Sequence, residues 1–410
     1  MTTPAESYAA AKKRGKHPLT IQFIEQFDFG FDEFQITACQ AVEDGKGVLV
    51  AAPTGAGKTV VGEFAAFSAL AQGKKCFYTT PIKALSNQKF QEFVERFGED
   101  RVGLLTGDTN INSEADVLVM TTEVLRNMLY ANSSTLKNLG SVVMDEVHYL
   151  ADKSRGAVWE EVLIHLMESV QVISLSATVS NAEEFGDWLG EVRGATEVIV
   201  SEVRPIPLYQ HVLIGDRLVD LFREQGRINP EILGLEREAL RQVRTPRHRR
   251  ERFGDGDSRL TRPDIIEKLQ RENLLPAITF IFSRAGCDAA VKQCLAAGIK
   301  LTNTEERLEI AQTAARYTQN LAEEDLEVLG YRDWLIALER GIAAHHAGLL
   351  PSFKGAVEDL FKRGLVKAVF ATETLALGIN MPARTVVLEK LTKWNGEAHV
   401  SITPGEYTQL

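Results

Sequence analysis

Apolar residues arrive in short runs along most of the chain, and the runs alternate with stretches of helical period. Between Gly47 and Val200, the segments GVLVAA, CFYTT, VLVMTT, SVVMDE, VISLSAT and TEVIVS read as strands. Most are followed by an amphipathic stretch such as TVVGEFAAFSALAQ or NAEEFGDWLG. Strands apolar on both faces and set between helices predict a parallel sheet covered on both sides. The rhythm resumes at AITFIFS, passes through a helix around GCDAAVKQCLAA, and returns at VKAVFATE and RTVVLEK. The expected fold class is therefore α/β, with two tandem domains of parallel sheet flanked by helices.

Between the two halves the pattern breaks. LEREALRQVRTPRHRRERFGDGDSRLTRPD is rich in arginine, glycine and proline and reads as lacking an apolar period, so an exposed and partly disordered insertion is expected. Its arginines suit either RNA phosphates or a solvated linker. At the far end, SITPGEYTQL has the signature of a helix start: Thr403 as cap, Pro404 in the first turn and Glu406 three residues after the cap.

Composition adds limits. The 410 residues exceed one typical domain, and 44% hydrophobic with 25% charged residues is ordinary for a globular chain. No apolar run approaches the ~20 residues of a membrane span, and MTTPAESYAAAKKRGKHP has no apolar segment of a signal peptide, so a cytoplasmic location with no membrane partner is expected. Cys39, Cys76, Cys287 and Cys294 form no CxxC pair and read as buried residues. The net charge of -10 gives no global attraction to nucleic acid, although a local groove of backbone donors and basic residues binds phosphates on an acidic protein.

The chemistry begins at AAPTGAGKT, directly after the strand GVLVA and before a helix. In that setting the backbone of Ala52, Pro53, Thr54, Gly55, Ala56 and Gly57 wraps phosphates at a helix N-terminus. Lys58 reaches the β- and γ-phosphates of ATP, and the Thr59 hydroxyl takes Mg2+. Ala52 stands where the motif usually has its first glycine. SVVMDEVHYL then delivers Asp145 and Glu146 to the carboxyl end of a strand, where open α/β sheets bind ligands. Asp145 is the expected metal ligand and Glu146 the group that orients the attacking water. Taken alone, His148 reads as a structural histidine.

DEVH followed by SAT (Ser176, Ala177, Thr178) resembles the helicases of superfamily two, in which the histidine and the SAT residues couple the phosphate site to the nucleic-acid groove. On that resemblance, FDEFQITACQ is the adenine-recognition segment, with Gln35 on the base edge and Phe34 or Phe31 near the ring. TTPIKALSNQKF, LLTGD and VMTTEVLRNML match first-domain nucleic-acid motifs, which implies that Pro81, Lys83, Gln88, Gly107, Asp108, Thr121, Thr122 and Arg126 line the strand. In FIFSRAGCD, Ser283 and Arg284 are implied on backbone phosphates. AAHHAGLLP holds His345, His346 and Gly348, a pair better suited to a structural or coupling role than to zinc. VFATETLALGINMPA holds Thr372, Glu373 and Asn380 near RNA and Gly378 near the nucleotide.

The whole string, APTGAGKT, DEVH, SAT, HHAGL and GINMPA, resembles the superkiller-type DEVH-box RNA helicases, most closely their actinobacterial members. It implies an N-terminal extension (1–30), a RecA-like ATP-binding domain (31–205), a linker with the arginine-rich insertion (206–275) and a second RecA-like domain (276–410). It further implies ATP-driven 3′ to 5′ movement on single-stranded RNA, unwinding of duplexes with a 3′ overhang, and RNA-decay proteins as partners. In LTKWNGEAHVSI, Asn395 and Gly396 between two strand-like arms predict a hairpin. Family members carry a strand-separating hairpin in this interval, and Trp394 at its tip would stack on a base for ~1–3 kcal/mol. The alternative is an ordinary surface hairpin. Competing readings of the whole chain are a DNA helicase of the related repair type and a nucleotide-gated RNA clamp without productive turnover. In the resembled family TPGEYTQL continues into a Q-x-x-G-R-x-G-R motif whose arginines reach the γ-phosphate. Gln409 matches its first residue, so the resemblance implies an incomplete second domain and a chain that binds ATP through its first domain but hydrolyses it poorly.

Overall fold

The computed structural model describes residues 16–151, 156–177, 182–223, 226–243, 260–375, 381–394 and 398–410. The chain divides into two compact units, Met1–Pro207 and Leu208–Leu410.

In the first unit, α1 (Pro18–Ile24) and α2 (Glu33–Glu43) precede β1 (Gly47–Ala51), α3 (Thr59–Ala71), β2 (Lys75–Thr80), α4 (Lys83–Phe97), β3 (Val102–Leu105) and β4 (Asn110–Ile111). There follow β5 (Val117–Thr121), α5 (Thr122–Tyr130), β6 (Leu139–Met144), α6 (Gly156–His165), β7 (Gln171–Ser176), α7 (Ala182–Arg193) and β8 (Thr196–Val200). The strands form one sheet in the order β4-β3-β5-β2-β6-β7-β1-β8. Every pairing in it is parallel except the short edge strand β4 against β3.

The alternation of side chains along each strand explains why the apolar runs are continuous. Val48, Val50, Tyr78, Val143 and Leu175 face one way and pack with Val61, Phe64 and Ala65 of α3. Leu49, Phe77, Val142, Met144 and Val172 face the other way onto Leu125 of α5, Trp159 of α6 and Leu189 of α7. Because neighbouring strands run parallel, their carboxyl ends open on one edge, and the loops carrying the motifs emerge there.

The second unit opens with two antiparallel ladders, β9 (His211–Ile214) with β10 (Arg217–Asp220) and β11 (Phe222–Arg223) with β12 (Arg227–Ile228). Helices α8 (Pro230–Val243) and α9 (Arg262–Arg271) follow, then β13 (Ala277–Phe280), α10 (Arg284–Ala296), α11 (Thr304–Thr318), α12 (Glu323–Val328) and α13 (Tyr331–Glu339). The unit continues through β14 (Ile342–His345), α14 (Pro351–Lys362), β15 (Ala368–Ala371), β16 (Thr385–Leu388), β17 (Thr392–Trp394), β18 (His399–Ser401) and α15 (Pro404–Gln409). Its central sheet is parallel, in the order β14-β15-β13-β16.

Two expectations are corrected here. The segment beginning at Leu235 was expected to lack an apolar period, yet its first part completes α8. Ile232, Leu235, Ala239 and Val243 recur at helical spacing, and the surrounding arginines hid that stripe; residues 244–259 lie outside the described residues. The strand Ile342–His345 was not expected, because GIAAHH holds too few bulky β-formers to stand out. By contrast, the capped start at Thr403 is present: its hydroxyl accepts the Glu406 N–H at 3.2 Å and Glu406 accepts the Thr403 N–H at 2.8 Å. The four cysteines are free and buried. Among the described residues no helix is long and apolar enough to cross a membrane.

Candidate nucleotide site and nucleic-acid face

β1 ends at Ala51, and the next residue still belongs to the sheet edge: the Ala52 N–H donates to the Ser176 carbonyl at 3.2 Å. Its methyl group is buried, so the departure from glycine is absorbed by the sheet and leaves the loop free to turn. The turn closes through the Ala56 N–H on the Pro53 carbonyl, with Gly55 (φ +84°) and Gly57 (φ +80°) in the left-handed region. α3 then starts at Thr59, so the loop backbone sits at a helix N-terminus suited to anions. Lys58 is buried, and its ammonium donates to the carbonyls of Ala52 (2.8 Å) and Pro53 (3.1 Å). Burial lowers its pKa from the ordinary lysine value, while Glu146 and then Asp145 pull it back up.

Gln35 also meets this loop. Its Nε2 donates to the Gly57 carbonyl at 3.1 Å, and its Oε1 accepts the Asp32 N–H at 2.8 Å, capping α2. Phe34 and Phe31 are half-buried against the core on the α3 side. Thr54 lies exposed on the loop.

Asp145 follows β6, separated from β1 by β7 alone. Its N–H donates to the Thr79 carbonyl at 2.9 Å. Both carboxylate oxygens are engaged: Oδ1 accepts the Glu146 N–H at 2.9 Å and Oδ2 accepts the Tyr78 hydroxyl at 2.6 Å. Glu146 has φ +54°, rare for a residue with a side chain, and this backbone turn re-aims the chain into the short helical turn carrying His148. Burial and then Asp145 push the Glu146 carboxyl up to about 7, opposed by Lys58 and Lys89. Burial and then Lys58 push His148 down to about 4, so the imidazole is neutral near neutral pH. His148 Nδ1 lies 3.3 Å from Glu146 Oε2 and accepts the Ala177 N–H at 3.4 Å. The link from DEVH to SAT thus runs through a backbone N–H. The Ser176 hydroxyl is buried with no partner among the described residues, and Thr178 lies outside them.

The donor set suits magnesium, since Thr59 and Asp145 supply the hydroxyl and carboxylate oxygens that a hard cation takes. Two supporting side chains escaped the sequence reading. Tyr78 sits in a fully buried run, and Lys89 is buried on α4 with its ammonium on Thr59 Oγ1 at 3.2 Å and on Glu92 at 2.8 Å. A signal for Lys89 existed: Leu85, Lys89 and Phe93 recur every fourth residue, which puts a lysine in the apolar stripe.

The residues matched to first-domain nucleic-acid motifs gather along the same sheet edge, in the loops and helix starts after β2, β3 and β5. Pro81, Lys83 and Gln88 begin α4 and its approach, and Lys83 pairs with Asp108 at 2.5 Å in an exposed ion pair next to Gly107. Thr121 precedes α5, and Arg126 on that helix lies 3.6 Å from Glu161. Thr122 is a correction. The residue is fully buried, backbone included, with its hydroxyl on the Thr80 carbonyl at 3.3 Å, because the start of α5 packs against the end of β2.

In the second unit, Ser283 caps α10 by accepting the Gly286 N–H at 3.2 Å, and Arg284 is exposed beside it. His345 and His346 face different carboxylates, Glu358 at 2.8 Å and Asp288 at 3.0 Å, and Gly348 donates its N–H to His346 Nδ1. Two histidines with separate acidic partners brace the loop after β14. Thr372 bonds Thr374, and Glu373 accepts from Lys393, which also bridges to Glu406. Gly378 and Asn380 lie outside the described residues. The hairpin arms β17 and β18 pair with Trp394 opposite His399; the Asn395–Gly396 turn is not among the described residues. The Trp394 ring is half exposed and edge-on to His399 at 5.2 Å.

A phosphate loop leading into a helix, with an acidic pair across one intervening strand, defines a nucleoside-triphosphate-binding α/β domain. Residues 32–185 match the model of the DEAD/DEAH box helicase family, and this domain belongs to that family. The chain is 59% identical over 403 residues to a protein named probable helicase HelY from Mycobacterium leprae, covering 95% of this chain and 44% of that protein. It is 42% identical to the DExH-box ATP-dependent RNA helicase DExH15, chloroplastic, of Arabidopsis thaliana, covering 95% of this chain and 36% of the relative. It is 40% identical to the superkiller complex protein 2 of Mus musculus, covering 94% and 32%. The chain thus spans less than half the length of these relatives.

Proposed function

We propose that this chain is the core of an ATP-dependent RNA helicase that moves 3′ to 5′ along single-stranded RNA. The observation that carries the reading is the meeting of Lys58, Asp145, Glu146 and His148 at the carboxyl edge of one parallel sheet, bordered by Lys83, Gln88 and Arg126. Thr59 and Asp145 would hold magnesium, which neutralises phosphate charge when bound. Lys58 leaves the loop carbonyls to reach the phosphates. Glu146, with its raised pKa, orients a water and takes its proton. His148 passes the state of this site to the segment at Ala177. RNA is favoured as substrate by the names of two relatives, an RNA helicase and a superkiller protein.

The test is ATP hydrolysis and unwinding by the purified chain with RNA and DNA duplexes bearing 3′ or 5′ overhangs. Hydrolysis by this chain is expected to be slow, its RNA-stimulated part to fall on the order of 10²-fold or more in Lys58→Ala, and unwinding to be confined to RNA with a 3′ overhang. Equal stimulation by DNA would overturn the RNA assignment, and RNA binding without turnover would favour a nucleotide-gated clamp.

A further inference from the structure

Tyr78 is a hydroxyl-bearing residue in a strand whose neighbours are buried on both faces, and its side chain is itself fully buried. A phenol in such a place is unfavourable unless its O–H finds an acceptor. The acceptor is Asp145 Oδ2 at 2.6 Å, the one hydrogen-bond partner of that hydroxyl among the described residues. The surroundings are shaped to admit the ring. Gly62 lies inside α3, the helix that follows the phosphate loop, and a Cβ there would stand 2.7 Å from Tyr78 Cε2. On its other side the ring meets Phe93 of α4 edge-on at 5.1 Å.

We propose that Tyr78 is a positioning residue for the magnesium ligand Asp145, locking the carboxylate so that its free lone pairs face the nucleotide site. The torsion that orients an aspartate carboxylate is broad and two-fold, so an unrestrained side chain samples many directions. Two donors on different oxygens, the Tyr78 hydroxyl on Oδ2 and the Glu146 N–H on Oδ1, remove that freedom. Groups that hold a metal ligand from behind typically change metal affinity by about 10- to 100-fold when removed. Burial and the neighbouring Asp145 raise the Tyr78 pKa well above its ordinary value, so the phenol keeps its proton and remains a donor. Tyr78 also lies on the strand that runs directly into Pro81 and Lys83, which ties the metal ligand to the approach of the nucleic-acid face.

The inference rests on the proposed Mg2+–ATP site, and the experiment separates the two. Binding of a fluorescent ATP analogue to the full chain is titrated with magnesium in the parent, Tyr78→Phe, Asp145→Asn and the double variant, with thermal unfolding recorded for each. In Tyr78→Phe the magnesium midpoint is expected to rise by about 10-fold or more, with magnesium-free nucleotide affinity unchanged. The same change in the Asp145→Asn background is expected to have little further effect, as for two groups acting through one contact. An unchanged midpoint in folded Tyr78→Phe, or an equal shift with and without Asp145, would overturn the role. Nucleotide binding by the parent that ignores magnesium would instead refute the proposed metal site.

Discussion

Replacing Gly62 by alanine sets two known effects against each other. Glycine inside a helix costs about 1 kcal/mol relative to alanine, so the substitution in open space stabilises. At Gly62 the space is not open: the new methyl would lie 2.7 Å from Tyr78 Cε2, 3.1 Å from Val143 Cγ1 and 3.4 Å from Leu175 Cδ1. Bringing the first contact from 2.7 Å to an ordinary 3.4 Å requires a displacement of about 0.7 Å in a packed core. Overpacking of that kind costs about 1–3 kcal/mol, which outweighs the helix gain and leaves a net loss of up to about 2 kcal/mol. Gly190, in α7 with nothing within 4 Å of its would-be Cβ, supplies the control, and Gly190→Ala is expected to stabilise by up to about 1 kcal/mol. Urea unfolding of both variants reads the difference. Because the displaced ring carries the hydroxyl that holds Asp145, Gly62→Ala is also expected to raise the magnesium midpoint for nucleotide binding. A Gly62→Ala chain as stabilised as Gly190→Ala, with its magnesium titration unmoved, would refute the claim that Tyr78 is fixed between α3 and Asp145.

Two further outcomes concern the same loop. Gly57→Ala meets both a φ of +80° and a 2.6 Å approach to Gln35 Nε2, whereas Gly55→Ala meets only its φ of +84°, so isothermal titration with ATP should show the larger loss of affinity at Gly57. The pH response follows from the two buried groups beside Asp145. Folded Glu146 keeps a proton up to about 7 that the unfolded chain releases at the ordinary carboxylate value, so its contribution is present at low pH and lost as pH rises through about 7. Folded His148 refuses a proton down to about 4, so its contribution is present above the ordinary histidine value and lost as pH falls toward about 4. The two slopes oppose each other between about pH 4.5 and 6.5. Glu146→Gln removes the first, so its stability should fall more steeply on acidification than the parent's, by up to about 1.4 kcal/mol per pH unit; a shallower fall in thermal unfolding across that window would contradict the assignment.

The α/β class was legible because it rests on local pattern. Strands buried on both faces must be apolar throughout, and GVLVA, CFYTT and SVVMDE say so without reference to any partner. The motif loops were legible for a related reason: in a parallel sheet, the residues just past each strand share one edge. Less visible were elements with weak local signal, such as the strand Ile342–His345 and the apolar stripe of Pro230–Val243 among arginines.

By itself, then, the sequence determined the strand-loop-helix setting of Lys58 and Thr59, the delivery of Asp145 and Glu146 to a strand end, and the capping of the helix at Thr403, since each depends on residues a few positions apart. Tertiary structure decided which side chains hold these groups. Tyr78 reaches Asp145 only because β2 and β6 are neighbours, and Gly62 matters only because α3 crosses that pair. Thr122, matched to a nucleic-acid motif, proved buried because its hydroxyl turns back to Thr80 on the adjacent strand. Periodicity specifies which face of an element is covered, while the partner of a buried hydroxyl or ammonium is fixed by strand order and packing, which join residues remote in the chain.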